Sequence, residues 1–286
     1  MLTEALQDSL FDSIKIFPFL FLVCLIMEYA GHWAGKDQEN QVRRLNRYGP
    51  LFGGLAGIFP QCGFSSAASE LYARRIITLG TLLSVYLATS DEMLPILISK
   101  AVPPVRIFQI LFLKVLVGVL SGTLADCLIR EKVPEQKIGS VSEKKCCCQE
   151  KGIGIWLPAL CHSLSILLFL FLITSVLNCV ISLYGVSRLS SFWLNRPVVG
   201  EILAGLIGLI PNCAASVLLT ELYLEGGLSF SAMMSGLFTG SGVGVLVLFR
   251  ENHERWKENI RIVGLLYGIG VISGLCILLL QYAFGC

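Results

Sequence analysis

Two stretches of this chain are copies of each other. Gly54-Leu-Ala-Gly-Ile-Phe-Pro-Gln-Cys-Gly-Phe-Ser, running on to Glu70-Leu-Tyr72, recurs as Gly205-Leu-Ile-Gly-Leu-Ile-Pro-Asn-Cys-Ala-Ala-Ser, running on to Glu221-Leu-Tyr223. At one fixed offset, nine of the nineteen aligned positions are identical, far above chance. A second echo, slipped by one residue, pairs Val117-Gly-Val-Leu-Ser-Gly122 with Ile269-Gly-Val-Ile-Ser-Gly274. The chain is therefore a duplicated unit, and each copy carries a proline and a polar residue in the middle of an apolar segment. Proline removes a backbone donor and stops the helix before it.

Composition says where such a unit can live. The mean hydropathy is +0.73 and charged residues make up only 15%, too few to cover a soluble domain of this size. The chain reads as an all-α polytopic membrane protein lying in the lipid bilayer. A net charge of +2 and the lack of a basic arm give no reason to expect nucleic acid as a partner. The first apolar run follows an amphipathic, acidic start (Glu4, Asp8, Asp12) and has no basic region before it, so a retained helix is expected rather than a cleaved signal. The eleven cysteines sit mostly in apolar segments, where cysteine is a small hydrophobe, and no disulfide framework is expected.

Spanning helices need about 20 apolar residues. Crossings are expected at roughly 14–31, 76–99, 107–128, 153–184, 228–249 and 260–284. The stretches 49–73 and 198–224 are interrupted at Pro60-Gln-Cys-Gly63 and Pro211-Asn-Cys-Ala214, and each is either a kinked span or a re-entrant hairpin. Charge favours hairpins. Three crossings per copy would leave the copies inverted and put 32–48, Arg74-Arg75, 130–151 and 250–261 on the cytoplasmic side. Those segments carry 4, 2, 6 and 4 Lys/Arg, 16 of the 22, the bias expected of cytoplasmic loops. The organisation expected is a first repeat over 1–129 (hairpin 49–73, broken helix 76–99), a charged cytoplasmic linker over 130–152, and a second repeat over 153–286 (hairpin 198–224, helix 228–249). Both termini fall outside.

Paired helix breaks near the midplane are where inverted-repeat carriers bind their cargo. Gln61, Cys62, Asn212 and Cys213 offer two amides and two thiols at the tips, with Ser65 and Ser216 one turn on. Thr89-Ser90-Asp91-Glu92 looks like a loop, but its copy, Gly240-Ser241-Gly242-Val243, lies inside the 228–249 crossing. Asp91 and Glu92 are therefore expected inside the membrane, at a cost of about 2.5–3.5 kcal/mol each, which makes them functional by default. The candidate substrate- or ion-binding set is Gln61, Cys62, Ser65, Ser90, Asp91, Glu92, Asn212, Cys213, Ser216 and Ser241; the metal ligands among them are Asp91, Glu92, Cys62, Cys213, Asn212 and Gln61. The bland alternatives are small residues that let hairpins pack, and a polar outer loop at 89–92. Glu70 is expected in an exposed pair with Arg74, four residues on. Lys114 either snorkels or neutralises a carboxylate. His32, His162 and His253 lack partners at metal-ligand spacing, and Cys146-Cys-Cys148 lies in the linker.

Oxygen donors suit borderline ions such as Mn(II), and thiols suit softer metals and trivalent arsenic. No phosphate-binding loop is present, so no built-in ATPase drives transport; coupling to protons, or to sodium, is the default, and no cofactor is expected. No histidine lies near either tip cysteine in sequence, so an intramembrane enzyme is not expected. The alternative function is an ion-coupled carrier of a small organic or arsenical anion held at half-helix N-termini.

On Pro60-Gln-Cys-Gly63, Pro211-Asn-Cys-Ala214, the paired Glu-Leu-Tyr copies and its length, the chain resembles the family of ten-segment heavy-metal exporters, whose members are labelled manganese transporter or arsenic efflux protein. Each hairpin counted as two segments gives the family's five plus five. The resemblance implies a multi-pass secondary transporter in a prokaryotic cytoplasmic membrane that exports a divalent heavy metal, manganese first, or a metalloid, by alternating access. A homodimer is compatible with the sequence.

Overall fold

The computed structural model describes residues 48–58, 62–90, 93–128, 197–211 and 213–284, together with isolated helical positions at 21, 22, 25, 160, 164, 167, 168 and 172. The side chains of Cys62, Cys213, Ala214 and Phe284 lie outside that description, as do the expected crossings 14–31 and 153–184 over most of their length and the linker 130–152. All regular structure among the described residues is helical, with no strand. In the first half they form α1 (Gly49–Gly57), α2 (Cys62–Ala73), α3 (Leu79–Ala88), α4 (Met93–Ser99) and α5 (Pro104–Leu128). The second half gives α6 (Val199–Gly208), α7 (Cys213–Leu224), α8 (Phe230–Thr239), α9 (Gly244–Glu251), a 3-10 turn His253–Arg255 and α10 (Trp256–Phe284).

The signals in the sequence account for most of these boundaries. Both apolar stretches break at the Pro-x-Cys motif, where α2 and α7 begin at Cys62 and Cys213. Thr78 and Ser229 occupy one position of the repeat and cap the helices that follow, accepting from the Thr81 and Ala232 amides; a hydroxyl there satisfies one of the donors a helix start leaves over. The 76–99 crossing is broken between Ala88 and Met93. Its copy is broken too. The uninterrupted helix expected over 228–249 divides at Gly240–Val243, because two glycines in four residues supply no side chain to hold the helix together. Among the described residues, four segments are long and apolar enough to cross a membrane: Leu79–Ser99, Pro104–Leu128, Phe230–Glu251 and His253–Ala283.

Packing repeats from one half to the other. In the first half, α3 packs on α1 and α5, and α1 on α5; in the second, α8 packs on α6 and α10, and α6 on α10. The contacts recur at the offset that carries Gly54 to Gly205, slipped by one residue along α5 and α10. Ser84 donates to the carbonyl of Pro50 at 2.6 Å, and its copy Ser235 donates to the carbonyl of Glu201 at 2.8 Å. Gly57 lies against Ala88 and Val85, and Gly208 against Thr239 and Gly236. Gly118 and Gly122 press on Ala88 and Ser84, as Gly270 and Gly274 press on Thr239 and Ser235. Small residues at these crossings let backbones approach closely, the main source of helix association in lipid.

The same contacts fix helix directions. Gly49 and Gly53 lie beside Thr81, and Gly57 beside Ala88, so α1 and α3 run the same way and start at the same level. Gly122 lies beside Gly80, and Gly118 beside Ala88, so α5 runs back against them. Between the halves, α2 packs on α9, and α4 on α7. The Leu79–Ser99 and Phe230–Glu251 spans are 75% and 83% buried, whereas the Pro104–Leu128 and His253–Ala283 spans are 22% and 33% buried. The broken helices thus form the centre. On α5, Phe108, Phe112, Leu116, Leu120, Leu124 and Leu128 make an exposed apolar stripe at four-residue spacing, as expected of a helix facing lipid.

Candidate functional site

A small cavity lies where the breaks meet. It is lined by Thr89 and Ser90 from the α3–α4 break, Gly240 and Gly242 from the α8–α9 break, Ala215 and Ser216 from the first turn of α7, Gly208, Gly236, Leu237 and Lys114. Both halves contribute. A broken helix leaves carbonyls without their usual amide partners, and in a bilayer those must be satisfied from within the protein. At the first break Ser90 Oγ donates to the carbonyl of Ala88 at 3.2 Å. Thr89 Oγ1 and Thr239 Oγ1 add second bonds to carbonyls that already accept a backbone amide, Val85 at 2.7 Å and Gly205 and Gly236 at 2.8 and 2.9 Å.

Lys114 is the most consequential of these groups. It sits in the middle of α5, is only 1% exposed, and its Nζ donates to the carbonyl of Leu237 at 2.8 Å. It does not snorkel. Its aliphatic stem crosses from α5 to the opposite half and delivers a cation to the broken end of α8. The corresponding residue of α10 is Leu266, fully buried, so the charge belongs to one copy alone.

A second buried polar group ties the halves together. Ser69 Oγ lies 2.6 Å from the Ser65 carbonyl, 2.7 Å from the Gly244 carbonyl and 2.7 Å from the Tyr86 hydroxyl. A serine has one proton to give, so Tyr86 donates to Ser69, which shares its own proton between the two carbonyls. Ser65, Ser66, Ser69 and Glu70 are all buried, forming the polar face of α2. Glu70 pairs with Arg74 at 2.8 Å, but the pair is not the exposed one expected: Glu70 is 1% exposed because α9 covers that face of α2.

A charged cluster marks one end of the molecule. Arg75 pairs with Glu258 at 2.7 Å, and the Tyr72 hydroxyl donates to the same carboxylate. Arg75 has a left-handed backbone, φ 61°, at the position where the second copy has Gly226, φ 78°. Both close the same turn: the amides of Arg75 and Ile76 reach the carbonyls of Tyr72 and Leu71, as those of Gly226 and Gly227 reach Tyr223 and Leu222. An arginine in that conformation costs about 1–2 kcal/mol that glycine does not, and the ion pair with Glu258 offsets it. Burial works against the Arg75 charge, but the Glu258 carboxylate and the Tyr72 hydroxyl together more than compensate and hold the guanidinium above its ordinary range.

Of the residues singled out in the sequence, Ser90 and Ser216 line the cavity, Ser241 is buried between two of its lining glycines, and Ser65 is buried against Gly244. Gln61, Asp91, Glu92 and Asn212 lie outside the described residues, as do the side chains of Cys62 and Cys213, His32, His162 and Cys146–Cys148. Among the described residues no cluster of His, Cys, Asp and Glu could hold a metal. His253 and Glu221 are exposed. Cys127 and Cys276 are free thiols. Sequence reasoning left Lys114 between snorkelling and neutralising a carboxylate, missed its bond to Leu237, and passed over Glu201, which is fully buried in α6; an ionisable residue inside an apolar helix was the signal available for both.

Residues 2–192, more than half of the chain, match the family described as "Putative, 10TM heavy-metal exporter". No curated protein and no solved structure matches. The chain belongs to this ten-segment exporter family, a group of membrane transporters and not a class of enzymes.

Proposed function

We propose, from that membership, that this protein is a secondary transporter which exports a heavy metal across the membrane through the cavity between its two halves. The observation that carries the reading is the cavity itself. Three interrupted segments from two copies of one unit meet there, around a buried lysine. Freed backbone groups and hydroxyls at paired breaks are what ion-coupled carriers use to hold cargo near the midplane.

An inverted arrangement of the copies is supported by two contacts. Gly49 sits beside Thr81, so α1 and α3 enter from one side, yet only five residues separate α2 from α3. At about 3.5 Å per residue that connection reaches roughly 20 Å, less than the ~30 Å apolar layer. Hence α2 returns to the side α1 came from, as a re-entrant hairpin does. Arg75, just before α3, pairs with Glu258 at the start of α10, on the far side of the α8–α9 span from the start of α8. The α3–α4 and α8–α9 crossings then run in opposite directions. The clustering of Arg74, Arg75, Arg250, Arg255 and Arg261 toward that end makes it the cytoplasmic one.

For the cargo, a divalent ion, manganese first, is held by Asp91, Glu92, Gln61, Asn212, Cys62 and Cys213, with Ser90, Ser216 and Ser241 nearby. On this reading Lys114 is the counter-charge for the two carboxylates when no metal is bound, and rocking of one half against the other exposes the site alternately. A second reading has a specific observation in its favour: a buried cation at the starts of half-helices α7 and α9 suits a small oxyanion such as an arsenical. Cells with and without the protein, grown over graded manganese, cadmium and arsenate, separate these. Raised tolerance and lowered cell content for manganese or cadmium alone support the first, for arsenate alone the second, and for none of the three refutes export.

A further inference from the structure

We propose that Glu201 is the proton-carrying carboxyl of this transporter, protonated on Oε2 in the arrangement seen here and deprotonated when the second half opens. The inference rests on the export reading and gives it a coupling ion and a residue. Glu201 stands in the first turn of α6 and is 0% exposed. Its Oε1 accepts from the Ser231 hydroxyl at 2.6 Å. Its Oε2 is buried and has no hydrogen-bond partner among the described residues. An ionised carboxylate with one bare oxygen in a bilayer is the costliest state available to that group, and a proton on the bare oxygen removes the charge while Oε1 keeps its bond to Ser231.

The fold does not need the carboxyl. Ser235 is held by the backbone carbonyl of Glu201 at 2.8 Å, and in the first copy Ser84 is held by the carbonyl of Pro50 in the same way. Proline does the structural work at this position, so the glutamate side chain is an addition specific to the second half. Among the described residues, nothing packed against it supplies a compensating charge. Helix α6 has no other ionisable residue, and α8, packed along it, has none. From α10, Tyr267 donates to the Ile202 carbonyl, and Cys276 and Tyr282 are exposed. From α7, Glu221 is exposed and the Tyr223 ring packs on Phe230. A proton is therefore the simplest ion that neutralises the group where it stands.

Position gives the direction. With the Arg75–Glu258 end cytoplasmic, α6 starts at the outer side, so Glu201 loads from the outer water: carboxylate plus proton gives the neutral acid. Opening of the second half to the cytoplasm lets the acid return that proton to water, and one proton moves inward for each turnover in which cargo moves outward.

The test uses the full chain in proteoliposomes with two probes, radiolabelled manganese(II) and arsenite, and three proteins: wild type, Glu201→Gln and Glu201→Asp. Transport driven by a pH gradient should fall by roughly tenfold or more in Glu201→Gln, the usual scale of a coupling free energy. Exchange of cargo at equal pH should stay within about twofold. Glu201→Asp should keep the drive with a displaced pH profile. Infrared difference spectra on titration should show a protonated-carboxyl stretch in wild type that is missing in Glu201→Gln. Undiminished pH-driven transport by Glu201→Gln, a drive that follows sodium at clamped pH, or a carboxyl band unchanged by the substitution would each overturn the proposal. If wild type moves neither probe, the export reading fails, and the infrared band still decides whether Glu201 carries a proton.

Discussion

Replacing Lys114 discriminates between the two cargo readings, and the structure sets the size of the effect. Lys114→Gln keeps a donor that can reach toward the Leu237 carbonyl but removes the charge from the cavity; Lys114→Met removes both. At an effective dielectric of about 20 and a separation of roughly 7 Å, a unit charge repels a divalent ion by about 5 kcal/mol. Asp91 and Glu92 offset part of that repulsion, so a gain of about 1.4 kcal/mol, tenfold in affinity, is a conservative floor for both variants. Lys114→Met should also lose stability, by about 1–3 kcal/mol, because the Leu237 carbonyl is left without its partner. The assay is equilibrium binding of manganese(II) to detergent-purified protein, with thermal unfolding in parallel. Tenfold tighter manganese binding in both variants is the expected result. Tenfold weaker manganese binding, or loss of arsenate binding with manganese untouched, would refute the counter-charge role and favour the anion reading.

Three further outcomes follow from the packing and the motifs. Gly57→Ala would put a methyl 2.7 Å from Ala88 Cβ and 2.9 Å from the Val85 carbonyl, an overpacking worth about 1–3 kcal/mol; Gly264→Ala and Gly268→Ala, with nothing within 4 Å, should be neutral or raise the unfolding temperature. Charge reversal at Arg75 or Glu258 should each lower stability by about 1–2 kcal/mol, and the double swap Arg75→Glu with Glu258→Arg should recover part of it; no recovery would mean that the pair does not join the two halves. Cys62→Ser and Cys213→Ser should weaken cadmium and arsenite more than manganese if the thiols are ligands. An unchanged cargo ranking would leave the amides and carboxylates as the only ligands.

The repeat made much of the fold legible, because one offset predicts contacts as well as identities: it carries Pro50–Ser84 to Glu201–Ser235 and Arg75 to Gly226. It also located the break at 89–92, which hydropathy alone presents as a loop. The second break was missed because Gly240-Ser-Gly242-Val243 is apolar enough to pass as helix, and hydropathy does not register the lost side-chain support. Glu70 was read as exposed because its pairing with Arg74 is local, whereas the α9 surface that buries it lies far along the chain. Lys114 and Glu201 carry no motif. Each is a single ionisable residue in an apolar helix, and its meaning depends on partners, Leu237 and Ser231, that only the tertiary structure supplies.

The carboxylates at the first break test the central claim most directly. The measurement is the rate of manganese(II) movement into proteoliposomes by wild type and by the Asp91→Asn, Glu92→Gln double variant, at matched protein content. Rapid, saturable movement by wild type and its loss in the double variant is the expected result, since two of the ligands would be neutral. Equal rates for the two proteins, or no movement by wild type, would contradict a metal site between the two halves.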